Sequence, residues 1–344
     1  MKRLRVLVLV HEDHVPPDSI EGFSDKEVLK WKAEYDVVST LREIGHDVEP
    51  LGVRSDLGVI RDRIVEWKPH ITFNLLEEFH GVGVYDQHVT SYLELMRQPY
   101  TGCNPRGLML AHDKALTKKI LSYHRIHVPR FVVFPRGRKV QLPPRVQFPL
   151  FVKSLTEEGS YGISQASIVN SEEKLIERIG YLHEQLETSA IAEEYIEGRE
   201  LYVGVLGNRR LQTLPTLELV FENLPEGAHR IATSKVKWDW KYQEKRGIDI
   251  VRPKDLERDV ERKIERLCKR IYRALNLSGY GRIDLRLRDS GEIYVLEANP
   301  NADVSDGEEL SEAAELAGIK YPELLQKIIN LGLSYEAEWR LAEA

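Results

Sequence analysis

Residues 281–301 read GRIDLRLRDSGEIYVLEANPN, and no other stretch constrains the fold as tightly. Two apolar-alternating runs flank an Asp-Ser-Gly turn signal, the pattern of an antiparallel hairpin. Taking Ser290-Gly291 as a two-residue loop sets Asp289 opposite Glu292, Asp284 opposite Glu297 and Arg282 opposite Asn299. Side chains alternate with period two along a strand, so the last four share one face. Ile283, Leu285, Val295, Leu296 and Ala298 surround them. Opposed Cβ atoms lie about 4.5–5.5 Å apart, close enough for two carboxylates to repel unless a cation sits between them. With the amide oxygen of Asn299, three hard oxygen donors converge on one spot. Magnesium suits such a set, because it takes one or two carboxylates and completes its octahedron with water and phosphate oxygens. Arg282 can hold an anion beside the metal. A solvated sheet face is the plainer alternative; the apolar residues pressed around these charges count against it.

The chain has 344 residues, room for two or three domains, and a 42% hydrophobic, 30% charged composition typical of globular proteins. A net charge of −6 provides no global basic field for nucleic acid or an anionic membrane. Any anionic ligand must therefore meet local Lys and Arg. Cys103 and Cys268 are too few for a disulfide framework and fit a reducing cytoplasm. The opening MKRLRVLVLVHED places basic residues before an apolar run, but the run is short and Arg5 interrupts it, so a buried strand from Leu4 to Val10 is the better reading than a signal peptide. No run approaches the roughly 18 apolar residues needed to span a bilayer.

Strand and helix signals alternate through the first hundred residues: LRVLVLV, a helix from Glu27 to Ile44 closed by Gly45, HDVEPLGV, a helix from Asp56 to Trp67, then HITFNLL. This order predicts a doubly wound α/β domain with a parallel sheet. A helix near Gln87–Met96 and a short strand and turn at PYTG follow. Further on the pattern predicts a helix over Lys114–Tyr123, strands VPRFVVF and FPLFVKS, surface loop between them, and a helix over Ser171–Glu187 capped by Ser171. AIAEEYI, ELYVGVLG and RLQTLPTLELV read as one meander. Gly227–Pro253 reads as an irregular mobile loop, and Leu256–Leu275 as a long helix.

A metal carrying phosphate needs cationic and backbone donors elsewhere. No GxxxxGK[ST] is present, and no GxGxxG opens a helix after the first strand. Instead Lys153 ends an apolar strand just before Gly159-Ser160-Tyr161-Gly162, a flexible loop whose N–H groups can face phosphate oxygens. In AIAEEYIEGREL the backbone of Glu194–Ile196 can read a purine edge and Glu200 can hold ribose hydroxyls; an ordinary strand with a Glu-Gly turn is the plain alternative.

Taken in order, PYTG with Asp113-Lys114 and Thr117-Lys118, FVKS with EEGSYGIS, AEEYIEGREL, GRIDLRL and VLEANPN resemble the ATP-grasp superfamily, most closely its D-alanine–D-alanine ligase branch. The resemblance covers most of the chain. It implies an N-terminal α/β domain over residues 1–104, a central lid over 105–190 and a C-terminal part over 191–344, the last two forming an α+β ATP-grasp fold with ATP between them. By the same resemblance Lys114 and Lys153 contact phosphates, and Ser160 sits in a closing loop. Glu193, Glu194, Tyr195 and Ile196 line adenine, and Glu200 meets ribose. Asp284, Glu297 and Asn299 hold two magnesium ions, with manganese an alternative, and Arg282 steadies charge on the reacting carboxylate. The implied activity is ATP-dependent joining of a small-molecule carboxylate, an amino acid or peptide, to an amine through an acylphosphate. A lid over Lys235–Ile248 would bring Lys241 or Lys245 to the phosphate. A homodimer is one expectation for assembly.

Two departures from that branch stand out. After the first strand the ligases carry Gly-Gly-x-Ser-x-Glu, whereas this chain has VHEDHVPPDS, with Glu12 as a substitute and His11 and His14 facing the cleft. Past Asn299, where the ligases bind the acceptor carboxylate, lie Asp303, Asp306, Glu308 and Glu309. Such a cluster either repels a carboxylate and favours an amine-rich acceptor or marks a helix N-terminus. D-alanine dimerisation and a non-catalytic nucleotide-binding protein are the alternatives to the ligase reading. Trp238 and Trp240 either stack on substrate or pack the lid, and both cysteines read as structural.

Overall fold

The computed structural model describes residues 2–144, 146–157 and 159–341. Three strands, Asp47–Val53, Arg5–His11 and Ile71–Asn74, form a parallel sheet in that spatial order. The run RVLVLVH is apolar throughout because both faces are covered. Val6, Val8 and Val10 pack on Val37 and Leu41 of the helix Lys32–Glu43 and on Ile328 of the C-terminal helix Tyr321–Leu333. Leu7 and Leu9 face Ile60 and Leu93 of the helices Gly58–Trp67 and Asp86–Leu95. The single helix expected from Glu27 to Ile44 is broken: a short turn, Asp25–Val28, precedes Lys32–Glu43. PYTG adds only an isolated bridge from Tyr100 to Thr72. Gly102, at φ +93°, leaves the space in which a Cβ would lie 2.4 Å from Asn301 Oδ1. That oxygen instead accepts the Cys103 N–H at 2.7 Å, tying the turn to the strand end beyond Asn299.

A second, antiparallel sheet orders Phe131–Phe134, Ala190–Glu194, Leu150–Ser154 and Ile168–Val169. The helix Glu172–Gln185 covers it through Leu175, Ile179 and Leu182, and Ser171 caps that helix by accepting the Lys174 N–H. Here the expected meander fails, since Ala190–Glu194 belongs to this sheet and not to the one holding the strands that follow. Alternation gives a strand its faces but not its neighbours.

The large sheet orders Ile248–Val251, Leu217–Phe221, Arg199–Leu206, Tyr280–Leu287 and Ile293–Pro300, with Gln212–Thr213 paired to Arg199–Leu206. Its core face receives Ile264, Cys268 and Ile271 of the helix Arg258–Ala274, each fully buried; burying an Ile stabilises by about 1.5–3 kcal/mol. Leu108 and Leu121, from the helices Pro105–His112 and Lys114–Tyr123, join the same core. The first of these two helices is not foreseen from sequence; Asn104 caps it by accepting the Gly107 N–H, and Pro105 starts it.

Residues 227–253 are more ordered than the expected loop. Thr233 and Asp239 cap two short helices, Ser234–Trp238 and Trp240–Arg246, Gly247 ends the second at φ +54°, and Ile248–Val251 pairs as an edge strand. The two N-caps were present in the sequence but hidden among aromatic residues of modest helix propensity. Among the described residues no helix is long and apolar enough to cross a membrane.

Candidate active site

The hairpin register places Arg282 opposite Asn299 and Asp284 opposite Glu297, as expected, but by a different route. The turn holds three residues, with Arg288 N–H donating to Glu292 O and Gly291 at φ +81°. Nearer the turn the strands pair Leu285 with Val295, one residue off the expected register, and a bulge between Asp284 and Leu285 restores it. The three-residue turn and the bulge offset one another, so the four polar residues meet on one face.

That face forms one wall of a cleft of about 860 Å³ between the large sheet and the four-stranded sheet. Lys153, Glu193 and Ile196 come from the four-stranded side, Asp284, Arg286 and Glu297 from the other, and Lys114 from the first turn of its helix. Lys114 Nζ lies 3.2 Å from Glu297 Oε1 and donates to the Glu157 carbonyl at 2.8 Å. Lys153 Nζ donates to Glu297 Oε2 at 3.2 Å and lies 3.8 Å from Glu193 Oε1. Lys118, 1% exposed, stands behind them, 3.3 Å from Glu193 and donating to the Leu296 carbonyl. Three lysines therefore meet two carboxylates in a buried wall, with burial lowering the pKa of Lys118. Buried charges of this kind are costly unless each finds a counter-charge.

The carboxylates respond in opposite senses. Burial raises the pKa of Glu297, but Lys114 and Lys153 overcome it and hold that carboxyl well below the usual range. For Asp284 burial prevails over Arg282, with Glu297 adding to the rise, so its charge is disfavoured in the fold. For Lys153 the order reverses: burial lowers its pKa, and Glu193 and Glu297 more than compensate.

Ser160, at φ +60° in the loop 159–164, lines the cleft, as do Glu194, Tyr195, Ile196 and Glu200. Glu200 accepts from Arg286 Nη2 at 2.6 Å and Tyr202 Oη at 3.0 Å. The Glu194 and Tyr195 N–H groups are taken by the Arg130 and Pro149 carbonyls. Glu193 stands among lysines as their counter-ion.

Two expected residues fall outside the cleft. Lys241 is exposed on the second lid helix, its ammonium 5.4 Å from the Trp240 ring centre; the caps at Thr233 and Asp239 turn Lys237 inward instead. Arg282 grips Asp284 through Nε at 2.8 Å and Nη2 at 3.1 Å, and Glu309 through Nη1 at 2.9 Å, with its guanidinium over the Tyr202 ring. It acts on the cleft through Asp284. Arg286 does line the cleft, and extending the period-two pattern of Arg282 and Asp284 would have found it. No spacing in KVKWDWKYQEK distinguishes Lys237 from its neighbours. Glu12 pairs with Arg54 at 2.5 Å, away from the cleft. Glu308 and Glu309 open the helix Glu309–Leu316, so part of the acidic run is a helix N-terminus.

Among the described residues no three His, Cys, Asp or Glu side chains cluster closely enough to hold a metal alone. Magnesium needs no such cage, since phosphate and water supply most of its ligands. Asp284 and Glu297 face each other across the hairpin beside the Asn299 amide, and the charge of Asp284 is left disfavoured by burial. The donor set fits a divalent ion delivered with a polyphosphate.

Residues 120–330 match the family model described as D-ala D-ala ligase C-terminus. The chain is 30% identical over 314 residues to a D-alanine–D-alanine ligase of Desulforudis audaxviator, covering 90% of this chain and 95% of that protein. It is also 30% identical over 302 residues to the uncharacterised protein y4sG of Sinorhizobium fredii, covering 86% and 85%. Of solved structures, the D-alanine–D-alanine ligase of Bacillus anthracis complexed with ATP superposes with a TM-score of 0.73 at 22% identity, over 99% of this chain and 100% of that one. The VanG D-Ala:D-Ser ligase of Enterococcus faecalis does so at 0.69 and 20%, over 96% and 100%. The fold is thus the ATP-grasp fold, and the chain belongs to the D-alanine–D-alanine ligase family.

Proposed function

We propose that the protein is an ATP-dependent ligase that joins a carboxylate to an amine, releasing ADP and phosphate. The observation that carries this reading is the buried cluster of Lys114, Lys118 and Lys153 around Glu193 and Glu297, beside Asp284 and Asn299 in one cleft. Its lysines suit a polyphosphate, and its apolar lining, including Phe151, Ile163, Ile196 and Leu296, suits a purine.

In this reading Lys114 and Lys153 hold phosphate oxygens, while Glu193 keeps the lysines charged and in place. Glu194, Tyr195 and Ile196 border the base, and Glu200, fixed by Arg286 and Tyr202, meets the ribose. Asp284, Glu297 and Asn299 would hold magnesium, one ion or two, which when bound supplies neutralisation of the phosphate charge. The substrate carboxylate oxygen attacks the γ-phosphorus and ADP leaves. The amine nitrogen then attacks the acyl carbon, phosphate leaves with the bonding pair, and the nitrogen loses a proton. Arg282 keeps Asp284 aligned; Lys237 takes the phosphate-facing role expected of Lys241. Ser160 and the 159–164 loop exclude water from the acylphosphate, supported by the Trp238 Nε1 bond to the Gly159 carbonyl at 3.1 Å. Both substrates are small molecules, and we place the reaction in the cytoplasm, with a homodimer as the proposed assembly.

ADP formation measured with ATP, magnesium and a carboxylate, with and without added amine, tests the proposal. Amine-dependent ADP release supports it; nucleotide binding without turnover for any carboxylate–amine pair makes the chain a non-catalytic binder.

A further inference from the structure

A second cavity, of about 430 Å³, opens where the N-terminal sheet meets the strand end beyond Asn299. Its lining includes Glu34, Glu77 and Asp303 and contains no lysine or arginine. Glu34 is only 8% exposed. Its Oε1 lies 3.4 Å from His14 Nδ1. Asp303 Oδ1 accepts from the Ser305 N–H and hydroxyl at 2.8 and 2.5 Å, which leaves Oδ2 free of hydrogen bonds among the described residues.

Two neutral polar groups also face this space. Tyr280 is 1% exposed and lines the cavity, and its hydroxyl makes no hydrogen bond among the described residues. Asn74 is 2% exposed; its Oδ1 accepts the Leu76 N–H at 3.3 Å, and its Nδ2 makes no bond there. The Tyr280 hydroxyl therefore meets only the space of the cavity, where it is open to a hydrogen-bonding ligand. The Glu34 carboxylate, the open Oδ2 of Asp303 and the Tyr280 oxygen around one void describe a site for a cation with several N–H donors.

We infer that this cavity holds an ammonium group of a diamine, the amine substrate of the ligase. The inference rests on the ligase reading and names the substrate class for it. One amino group stays protonated against Glu34 and Asp303, with the Tyr280 oxygen as a further acceptor. The other, neutral, reaches past Asn299 toward the cleft, attacks the acyl carbon and gives up one proton as phosphate leaves. A zwitterionic amino acid fits this cavity poorly, because its carboxylate meets Glu34 and Asp303 with no lysine or arginine in the lining to hold it. Burial, with Asp303 adding to it, raises the Glu34 pKa to about 7, as expected for a carboxylate awaiting a counter-charge.

Calorimetric titration of the full chain with putrescine, n-butylamine and D-alanine tests the site without turnover. Putrescine is expected to bind most tightly, and Glu34→Gln and Asp303→Asn are each expected to weaken it by roughly tenfold or more while ATP affinity stays unchanged. D-alanine binding as tight as putrescine, or putrescine binding unaltered by both variants, overturns the inference. Should one variant fold poorly, the other decides. Variant-sensitive putrescine binding without any ADP formation sinks the ligase reading and leaves the site standing. ADP formation with D-alanine and none with diamines does the reverse.

Discussion

Two cavities of this protein lie beside one strand and treat their carboxylates differently. In the larger, Lys114, Lys153 and Lys237 stand among the acidic side chains of the lining. The smaller, a few residues along past Asn299, is walled by Glu34, Glu77 and Asp303 with no basic residue in its lining. In the first, lysines outweigh burial at Glu297, which titrates well below its ordinary value, although burial prevails at Asp284. In the second, with no lysine or arginine in the lining, burial pushes Glu34 up to about 7. One sheet thus presents a cleft where lysines meet carboxylates beside a cavity lined by carboxylates without lysine or arginine.

The sharpest way to break the contrast is Lys153→Met, which leaves Glu193 and Glu297 buried without their shared cation. ADP formation is expected to fall by about 100-fold or more, with a loss of about 3–5 kcal/mol in denaturant unfolding; an active, fully stable variant would contradict the charge assignment. Next, Asp284→Asn and Glu297→Gln should both abolish ADP formation yet part company in stability. Glu297 has a folded pKa below its ordinary 4.5, so its stabilisation is present above that pH and fades as pH falls further. Replacing it should cost about 2–4 kcal/mol at neutral pH. Asp284 has a folded pKa above its ordinary 3.8, so stability falls as pH rises through that interval. Asp284→Asn should leave thermal unfolding unchanged or raised. Equal destabilisation of both would show that the asymmetry is absent.

Lys237→Ala should lower ADP formation by roughly tenfold, with Lys241→Ala close to the parent; the reverse ranking would put Lys241 in the cleft after all. In the acidic cavity the sign is opposite to that of Glu297. Glu34 binds its extra proton in the folded state between its ordinary 4.5 and about 7, so stability declines as pH rises through that window. Glu34→Gln should therefore raise the melting temperature near pH 8, by up to ~3 kcal/mol in free energy, and change little near pH 4. A melting temperature lowered at both values would mean that Glu34 is paired. The smallest effect expected is that of Trp238→Phe, which removes one exposed hydrogen bond to the 159–164 loop; a rise of a few-fold in KM for ATP with kcat retained would mark loop docking, about 0.5–1 kcal/mol.

Legibility varied sharply along the chain. The parallel sheet and the helices covering it were readable because apolar period decides burial, and RVLVLVH could be nothing but a two-sided core strand. The pairing of Asp284 with Glu297 was also readable, although the assumed turn was one residue short and an unforeseen bulge made up the difference. Two readings failed for one reason: the deciding partner lies far away in sequence. Ala190–Glu194 joins the sheet of Leu150–Ser154, not that of Arg199–Leu206. Residues 234–251 fold because caps and the Leu217–Phe221 edge stabilise them. The helices from Pro105 to Tyr123 bury their side chains in the large-sheet core, so we propose that functional units follow the sheets and not the divisions at residues 104 and 190.

Sequence alone determined which residues carry charge on a buried face, because strand periodicity and residue type act locally. It thereby specified the acidic pair, the lysine ending an apolar strand and the order of the motifs. Tertiary structure decided which ammonium groups meet which carboxylates, that Lys237 rather than Lys241 turns inward, and that Glu34 and Asp303, 269 positions apart by their numbers, share one cavity. Those outcomes depend on Coulomb energy and desolvation, which depend on distance and burial in space, and chain spacing encodes neither.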